Sequence, residues 1–437
     1  MRVAVVGTGI AGLVAAWLLD RQHEVHVFEQ RDRLGGHTHT MSVGGGRART
    51  SPANRLQDAA PGSRPGQAGL AVDTGFIVYN EPTYPGLTRL FDELQVETEP
   101  SDMSWAVSCR RCDLEYAGSV RGITAQPTNL LDPSYLRFLG EIDRFNRVGR
   151  KLVDDPRTER LTIGRFLHNA GFGHGLRDHY LLPMAAAIWS TGAGRVEDFP
   201  LATLLRFFRN HGLLGVTGHH PWRTVTGGAS SYIPKLVAGY RDRVHTGDGV
   251  VAVDRDPYGV DLRLASGDRH RFDRIVIAAH ADQALGMLAD PSRREKELLG
   301  EWGYSDNDAW FHTDTSLLPN RQRAWASWNY LVDDCTVPGE RVSLSYHMNR
   351  LQNLDTPEQY VVTLNPPTEP ARDRVLARMT YRHPAYTPAS VGTQGHLDEL
   401  NGRNNTFYVG AYQRYGFHED GVWSAQRAVS HFGIRWP

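Results

Sequence analysis

The chain has 437 residues, 48 basic and 49 acidic, for a formal net charge of −1; that length allows two or three domains with a substantial core, and that balance leaves no overall field to attract nucleic acid or an anionic surface. Apolar content of 40% with 10 Trp, 17 Tyr and 15 Phe excludes disorder, and a mean hydropathy of −0.43 excludes a multispanning membrane protein. Three cysteines, Cys109, Cys112 and Cys335, cannot complete a disulfide framework and suit a reducing, cytoplasmic setting.

Arg2 followed by an apolar run to Leu19 has the outline of a signal peptide, yet Gly7, Gly9 and Gly12 interrupt it and Asp20-Arg21 closes it without a small-x-small cleavage site. Strand, turn and helix fit better. Val3–Val6 predicts a buried strand, Gly7-Thr8-Gly9-Ile10-Ala11-Gly12 a phosphate-binding turn, Leu13–Leu19 a helix, and Glu24–Glu29 a second strand ending on a carboxylate. Gly7 permits the turn, Gly9 lets the backbone approach a pyrophosphate, and Gly12 lets helix and strand pack closely. Glu29 is expected to accept from a ribose and to repel a 2′-phosphate, which selects an NAD-like or FAD-like nucleotide.

Arg31-Asp32-Arg33-Leu34-Gly35-Gly36 adds a glycine pair that NAD dehydrogenases do not usually carry. With it, the chain resembles the flavoprotein group of flavin amine oxidases, phytoene desaturases and protoporphyrinogen oxidase, which implies FAD bound in an extended form. The resemblance implies further contacts to that cofactor from Ile10, Ala11, Gln30, Arg33, His37 and Thr38, and from Val250. His37 and His39 lack a third ligand and are expected to line the flavin neighbourhood rather than hold a metal. Cys109 and Cys112 have redox-motif spacing but no strand-to-helix context, so a structural or incidental role is expected and no metal site is predicted.

Residues 44–69, rich in Gly, Ala, Arg, Ser and Pro, read as a flexible surface insertion. Leu70–Tyr79 reads as a strand broken at Asp73-Thr74-Gly75, where close backbone approach to a ligand is expected. Residues 83–95 and 133–217 read largely as helices. Strands are expected over 249–255, 260–264 and 271–279, the last returning to the nucleotide sheet, and over 309–314, 324–332, 341–348, 360–364 and 375–382, an antiparallel, aromatic-rich sheet suited to an apolar substrate. Phe407–Ala411 is a strand ending at Gly410, and Gly421-Val422 opens a helix whose N-terminus, by the same resemblance, faces the flavin. The expected fold is mixed α/β: a Rossmann-type FAD domain, discontinuous over 1–80, 220–290 and 400–437, and a substrate domain over 81–219 and 291–399.

For the proton that accompanies hydride transfer, His418 is the first candidate, with Glu419 as its orienter. Against amine oxidation, no lysine follows Lys296, whereas flavin amine oxidases commonly place one near the flavin; Tyr304–Asp308 stands in that region. The phrases Gly35–Thr40, Asp73–Asn80, Tyr346–Gln352 and Gly416–Gly421 resemble a bacterial family of FAD-dependent proteins often encoded beside cyclopropane-fatty-acid-synthase-like methyltransferases. That resemblance implies reduction or introduction of a C=C bond in a methylated or methylene-bearing fatty acyl chain, with a methyltransferase as partner and peripheral contact with the inner membrane face. A flavin amine oxidase and a non-catalytic FAD-binding partner of the methyltransferase stand as alternatives. Only one dinucleotide fingerprint exists, so oxygen and NADPH are both open as electron partners.

Overall fold

Alternating side chains of the first strand bury on opposite sides, and this fixes the architecture around it. The computed structural model describes residues 1–44, 47–56, 69–190, 196–215, 218, 220–337, 339 and 341–436. Its central sheet is parallel, in the order Val244–Thr246, Glu24–Glu29, Arg2–Val6, Arg274–Ile277, Thr406–Tyr408. Val3, Val5, Val25 and Val27 pack on one side against the helices Ile10–Leu19 and His418–Ser430. Ala4, Val6, Phe28 and Ile275 pack on the other, against the antiparallel strands Val250–Asp256, Gly259–Leu264 and Arg269–Phe272. Both faces are covered, which is why these strands read as nearly continuous apolar runs.

A second sheet has seven strands in the order Val375–Pro384, Tyr304–His312, Val361–Leu364, Leu344–His347, Trp328–Val332, Trp105–Cys109, Glu115–Ala117. It is antiparallel except where Trp328–Val332 runs parallel to Trp105–Cys109. The 133–217 region folds as the helices Pro133–Leu152, Ile163–Asn169, Leu182–Trp189 and Leu201–Asn210, joined through Phe145, Phe166, Leu204, Leu205 and Phe208 in one core. No helix among the described residues is long and apolar enough to cross a membrane.

The flexible insertion expected over 44–69 requires correction. Arg47–Thr50 pairs with Thr40–Gly44, which pairs in turn with Leu70–Asp73. Asn54 is fully buried: its amide donates to the Leu34 and Thr38 carbonyls and its oxygen accepts from Thr40 N–H. A polar residue that satisfies a turn so completely is buried by hydrogen bonding, which leaves no apolar signature. Residues 57–68 of that expectation lie outside the described residues.

Candidate functional site

Two glycine-containing loops meet beside the end of the first strand. Gly7, at φ +103°, lies against the return strand, where a Cβ would come 2.5 Å from the Ala278 carbonyl oxygen. A Cβ on Gly12 would overlap the Gly7 carbonyl. Gly9 differs: its backbone is extended, at φ −62° and ψ 170°, and a Cβ there meets nothing within 4 Å. Neither backbone strain nor packing requires glycine at that position. Gly36, at φ +59°, approaches the same point from the second loop, where a Cβ would lie 3.0 Å from Gly9 Cα, and Gly35 N–H donates to Thr8 O at 3.1 Å. The Glu29 carboxylate accepts from Thr8 N–H and Thr8 Oγ1 and, through its other oxygen, from Arg31 N–H. Arg33 is buried and donates to the Gly36 carbonyl at 2.9 Å. Gln30 adjoins Gly249, next to Val250. The terminal helix closes this corner, since a Cβ on Gly421 would lie 2.7 Å from Ile10 Cγ2 and 3.4 Å from Ala11 N. Val422 is fully buried behind it, and Gly410 N–H donates to Ser424 Oγ at 2.9 Å.

From the glycine corner a group of imidazoles and phenols extends toward the seven-stranded sheet. Thr38 Oγ1 shares hydrogen bonds with Tyr232 Oη at 2.5 Å and His418 Nε2 at 3.0 Å, and the His418 ring stacks on Phe76 at 3.7 Å. His37 lies 5.1 Å from the Tyr381 ring and 5.3 Å from the His383 ring, centroid to centroid. His39 Nδ1 is 3.1 Å from Tyr381 Oη, and Thr74 Oγ1 joins both. Burial lowers the pKa of His37, holds His280 and His383 near 4, and holds His418 near 3, so all four rings are neutral at pH 7. Asn307, within the Tyr304–Asp308 stretch expected near the flavin, contacts His383 with its side chain at 3.0 Å, and Tyr381 belongs to the expected aromatic-rich strand 375–382; His383 was not singled out from the sequence. The i, i+2 alternation of 381 and 383 on one strand face was the available signal.

One expectation changes with this geometry, and two other positions show protein partners. Glu419 does not orient His418: its oxygens accept from Gly86 and Leu87 N–H at 3.0 and 2.9 Å, capping the helix Pro85–Glu93. A carboxylate satisfies the orphan amides of a helix start better than it serves an imidazole pointing elsewhere. Glu419→Gln keeps only one good acceptor and is expected to lower unfolding free energy by about 1–2 kcal/mol in urea titrations while leaving the shape of any pH–rate profile intact. At Gly75 the His37 carbonyl makes a close approach, since a Cβ there would lie 2.2 Å from its oxygen. Asp73 is likewise occupied by protein, accepting from Thr40 Oγ1, Ala229 N–H and Gln352 Nε2.

Asp420 carries a pH signature. Burial raises its pKa to about 7, against hydrogen bonding from Phe417 N–H. A carboxyl whose folded pKa lies above its ordinary value binds more protons folded than unfolded, so stability falls as pH rises from about 4 to 7. Asp420→Asn should remove that slope, losing roughly 2–4 kcal/mol less than the parent between pH 4 and 8 in denaturant titrations.

The residues fit an extended FAD by two observations. Gly9 and Gly36 present side-chain-free backbone to the helix N-terminus, where anions bind. His37 Nε2 and His280 Nδ1 are buried without a hydrogen-bond partner among the described residues, and a heteroaromatic ring bearing donors and acceptors would supply one.

Comparison with known proteins agrees. Residues 10–362 match the family described as flavin containing amine oxidoreductase. A putative flavin-containing monoamine oxidase of Mycobacterium tuberculosis is 28% identical over 309 residues, covering 66% of this chain and 59% of its own length. An L-glutamate oxidase precursor of Streptomyces viridosporus is 33% identical over 180 residues, covering 36% of this chain and 26% of its own. The chain thus spans less than two thirds of these curated relatives. Among solved structures, cyclohexylamine oxidase from Brevibacterium oxydans superposes with a TM-score of 0.68 at 15% identity over 98% of both chains. A CLA-producing fatty acid isomerase from P. acnes superposes with a TM-score of 0.66 at 16% identity, over 99% of this chain and 98% of that one. At such identities the likeness is one of fold.

Proposed function

The chain belongs to the flavin-containing amine oxidoreductase family, with FAD as its cofactor, and from that premise we propose that it is an oxidoreductase acting on an apolar substrate, a methylated or methylene-bearing fatty acyl chain. When bound, FAD supplies the hydride acceptor or donor at its N5. The chain's own residues do the rest. Gly7, Gly9, Gly12, Gly35 and Gly36 admit the pyrophosphate, Arg33 flanks it, Glu29 would accept from the ribose, and Gly410 and Gly421 bring the terminal helix to the flavin edge. His418, neutral and linked through Thr38 to Tyr232, holds or passes the proton at Nε2.

The observation that carries the substrate class is the face of the seven-stranded sheet. Trp328 packs on Tyr346 at 5.1 Å, Tyr346 and Met379 pack on the cluster of Ala309, Leu364 and Tyr381, and Tyr381 reaches His37 and His39. An apolar, aromatic sheet face therefore borders neutral imidazoles, which supports a hydrocarbon chain over an ion. We further propose that the acyl chain is met at the inner membrane face, with a lipid methyltransferase as its partner. Amine oxidation is the second reading, favoured by the names of the sequence relatives. An anaerobic experiment separates them: methyl-branched acyl phospholipids and primary amines are added separately to the oxidised protein. Bleaching of the flavin absorbance by the acyl lipid, or reoxidation of the dithionite-reduced protein by its unsaturated counterpart, is expected. Bleaching by amines alone would replace this reading with the second, and no response to either would favour the non-catalytic role.

A further inference from the structure

Three cysteines and a histidine converge at an edge of the seven-stranded sheet. Cys109 ends the strand Trp105–Cys109 and is buried, and Cys112 follows in the turn that leads into Glu115–Ala117. Cys335 lies just beyond Trp328–Val332, whose parallel pairing sets Val332 opposite Cys109. His179 comes from a π-helical turn, Arg177–Leu181, directly before the helix Leu182–Trp189. The three sulfurs and one imidazole nitrogen all lie within 4.8 Å of one another, with Cys112 Sγ 3.3 Å from His179 Nε2.

We propose that Cys109, Cys112, His179 and Cys335 bind one zinc ion. Tetrahedral zinc, with bonds of about 2.3 Å to sulfur and about 2.0–2.1 Å to nitrogen, places its ligand atoms about 3.5–3.8 Å apart, so no pair needs to contract by more than about 1.3 Å. Thiolates with one imidazole select zinc over hard cations, and the two-residue spacing of Cys109 and Cys112 in a hairpin turn is that of zinc-binding turns. Four protein ligands leave no open position, so the ion is structural. Binding releases three thiol protons to solvent and changes no oxidation state.

The surrounding contacts prepare the site. Arg110 N–H donates to the Val332 carbonyl at 2.9 Å, and Arg110 and Arg111 pair with Asp333 and Asp334 at 3.4 and 3.0 Å, aligning the Cys109–Cys112 turn with the Cys335 loop. Tyr116 Oη donates to the His179 carbonyl at 2.6 Å, fixing the π-turn on the sheet. The ion would tie the helical layer to two strands far apart in sequence.

The test uses the full-length flavoprotein purified under reducing conditions. Elemental analysis should find one zinc per chain. After chelation, cobalt(II) added alone should give the intense visible bands of a tetrahedral site together with thiolate-to-cobalt charge transfer. Cys335→Ser and Cys112→Ser should lose the metal and melt at lower temperature while keeping the flavin spectrum. Should either variant fail to fold, the cobalt titration of the native chain decides alone. A metal-free native chain that takes up no cobalt, iron in place of zinc, or a disulfide between Cys109 and Cys112 under these conditions would overturn the proposal.

Discussion

Gly9→Asp should give a folded, colourless protein. The position has extended backbone and open space around its Cβ, so the aspartate neither strains the chain nor collides with it. As the residue preceding the helix Ile10–Leu19, it would even cap the orphan amides there, to the benefit of a few tenths of a kcal/mol. What it destroys is the anion site: a carboxylate would stand where the pyrophosphate approaches the helix N-terminus. FAD affinity should fall by a factor of about 100 or more, since like-charge juxtaposition costs several kcal/mol, with the far-UV circular dichroism and apo-protein melting temperature unchanged. Gly12→Val is the contrasting control, because a Cβ there overlaps the Gly7 carbonyl and should unfold the chain.

Arg255→Met is expected to destabilise the protein by about 3–5 kcal/mol. Arg255, on the strand Val250–Asp256, donates to both Glu295 oxygens at 2.6 and 3.1 Å, and the two side chains are only 1% and 3% exposed. Tyr408 Oη and Ser292 N–H also donate to Glu295, at 2.6 and 2.7 Å, so the pair joins the small antiparallel sheet, the helix Arg293–Leu299 and the last strand of the parallel sheet. Removing the guanidinium leaves a buried carboxylate uncompensated. Burial alone would raise the Glu295 pKa, but the donors from Arg255, Tyr408 and Ser292 prevail and hold it near 2. A depressed carboxylate contributes stability above its ordinary pKa and loses it as pH falls toward the folded value. In the parent this contribution should therefore disappear between about pH 4.5 and 2, and in Arg255→Met it should be largely absent; urea midpoints measured across that range check both.

The nucleotide corner was legible because local rules govern it. Strand, glycine turn, helix and Glu29 follow one another within thirty residues, and Gly7 and Gly12 answer to a turn and a close approach. The imidazole group was only half legible. His37 and His418 stand in recognisable phrases, but Tyr381 and His383 reach them by tertiary pairing of a strand more than 300 residues from His37. Glu419, adjacent to His418 in sequence, points to another helix, since neighbours in a helix do not face the same way. The cysteine cluster shows the same limit. Cys109 and Cys112 were visible as a pair, whereas Cys335 joins them through a parallel strand pairing and His179 through a π-turn, neither of which leaves a local pattern.

Acid release and chromatography of the cofactor from the purified wild-type chain, quantified per mole of protein, tests the central claim most directly. One equivalent of FAD per chain, restored by adding FAD to apo-protein but not to Gly9→Asp, is the expected result. A wild-type chain that carries no flavin and binds none on reconstitution would contradict it.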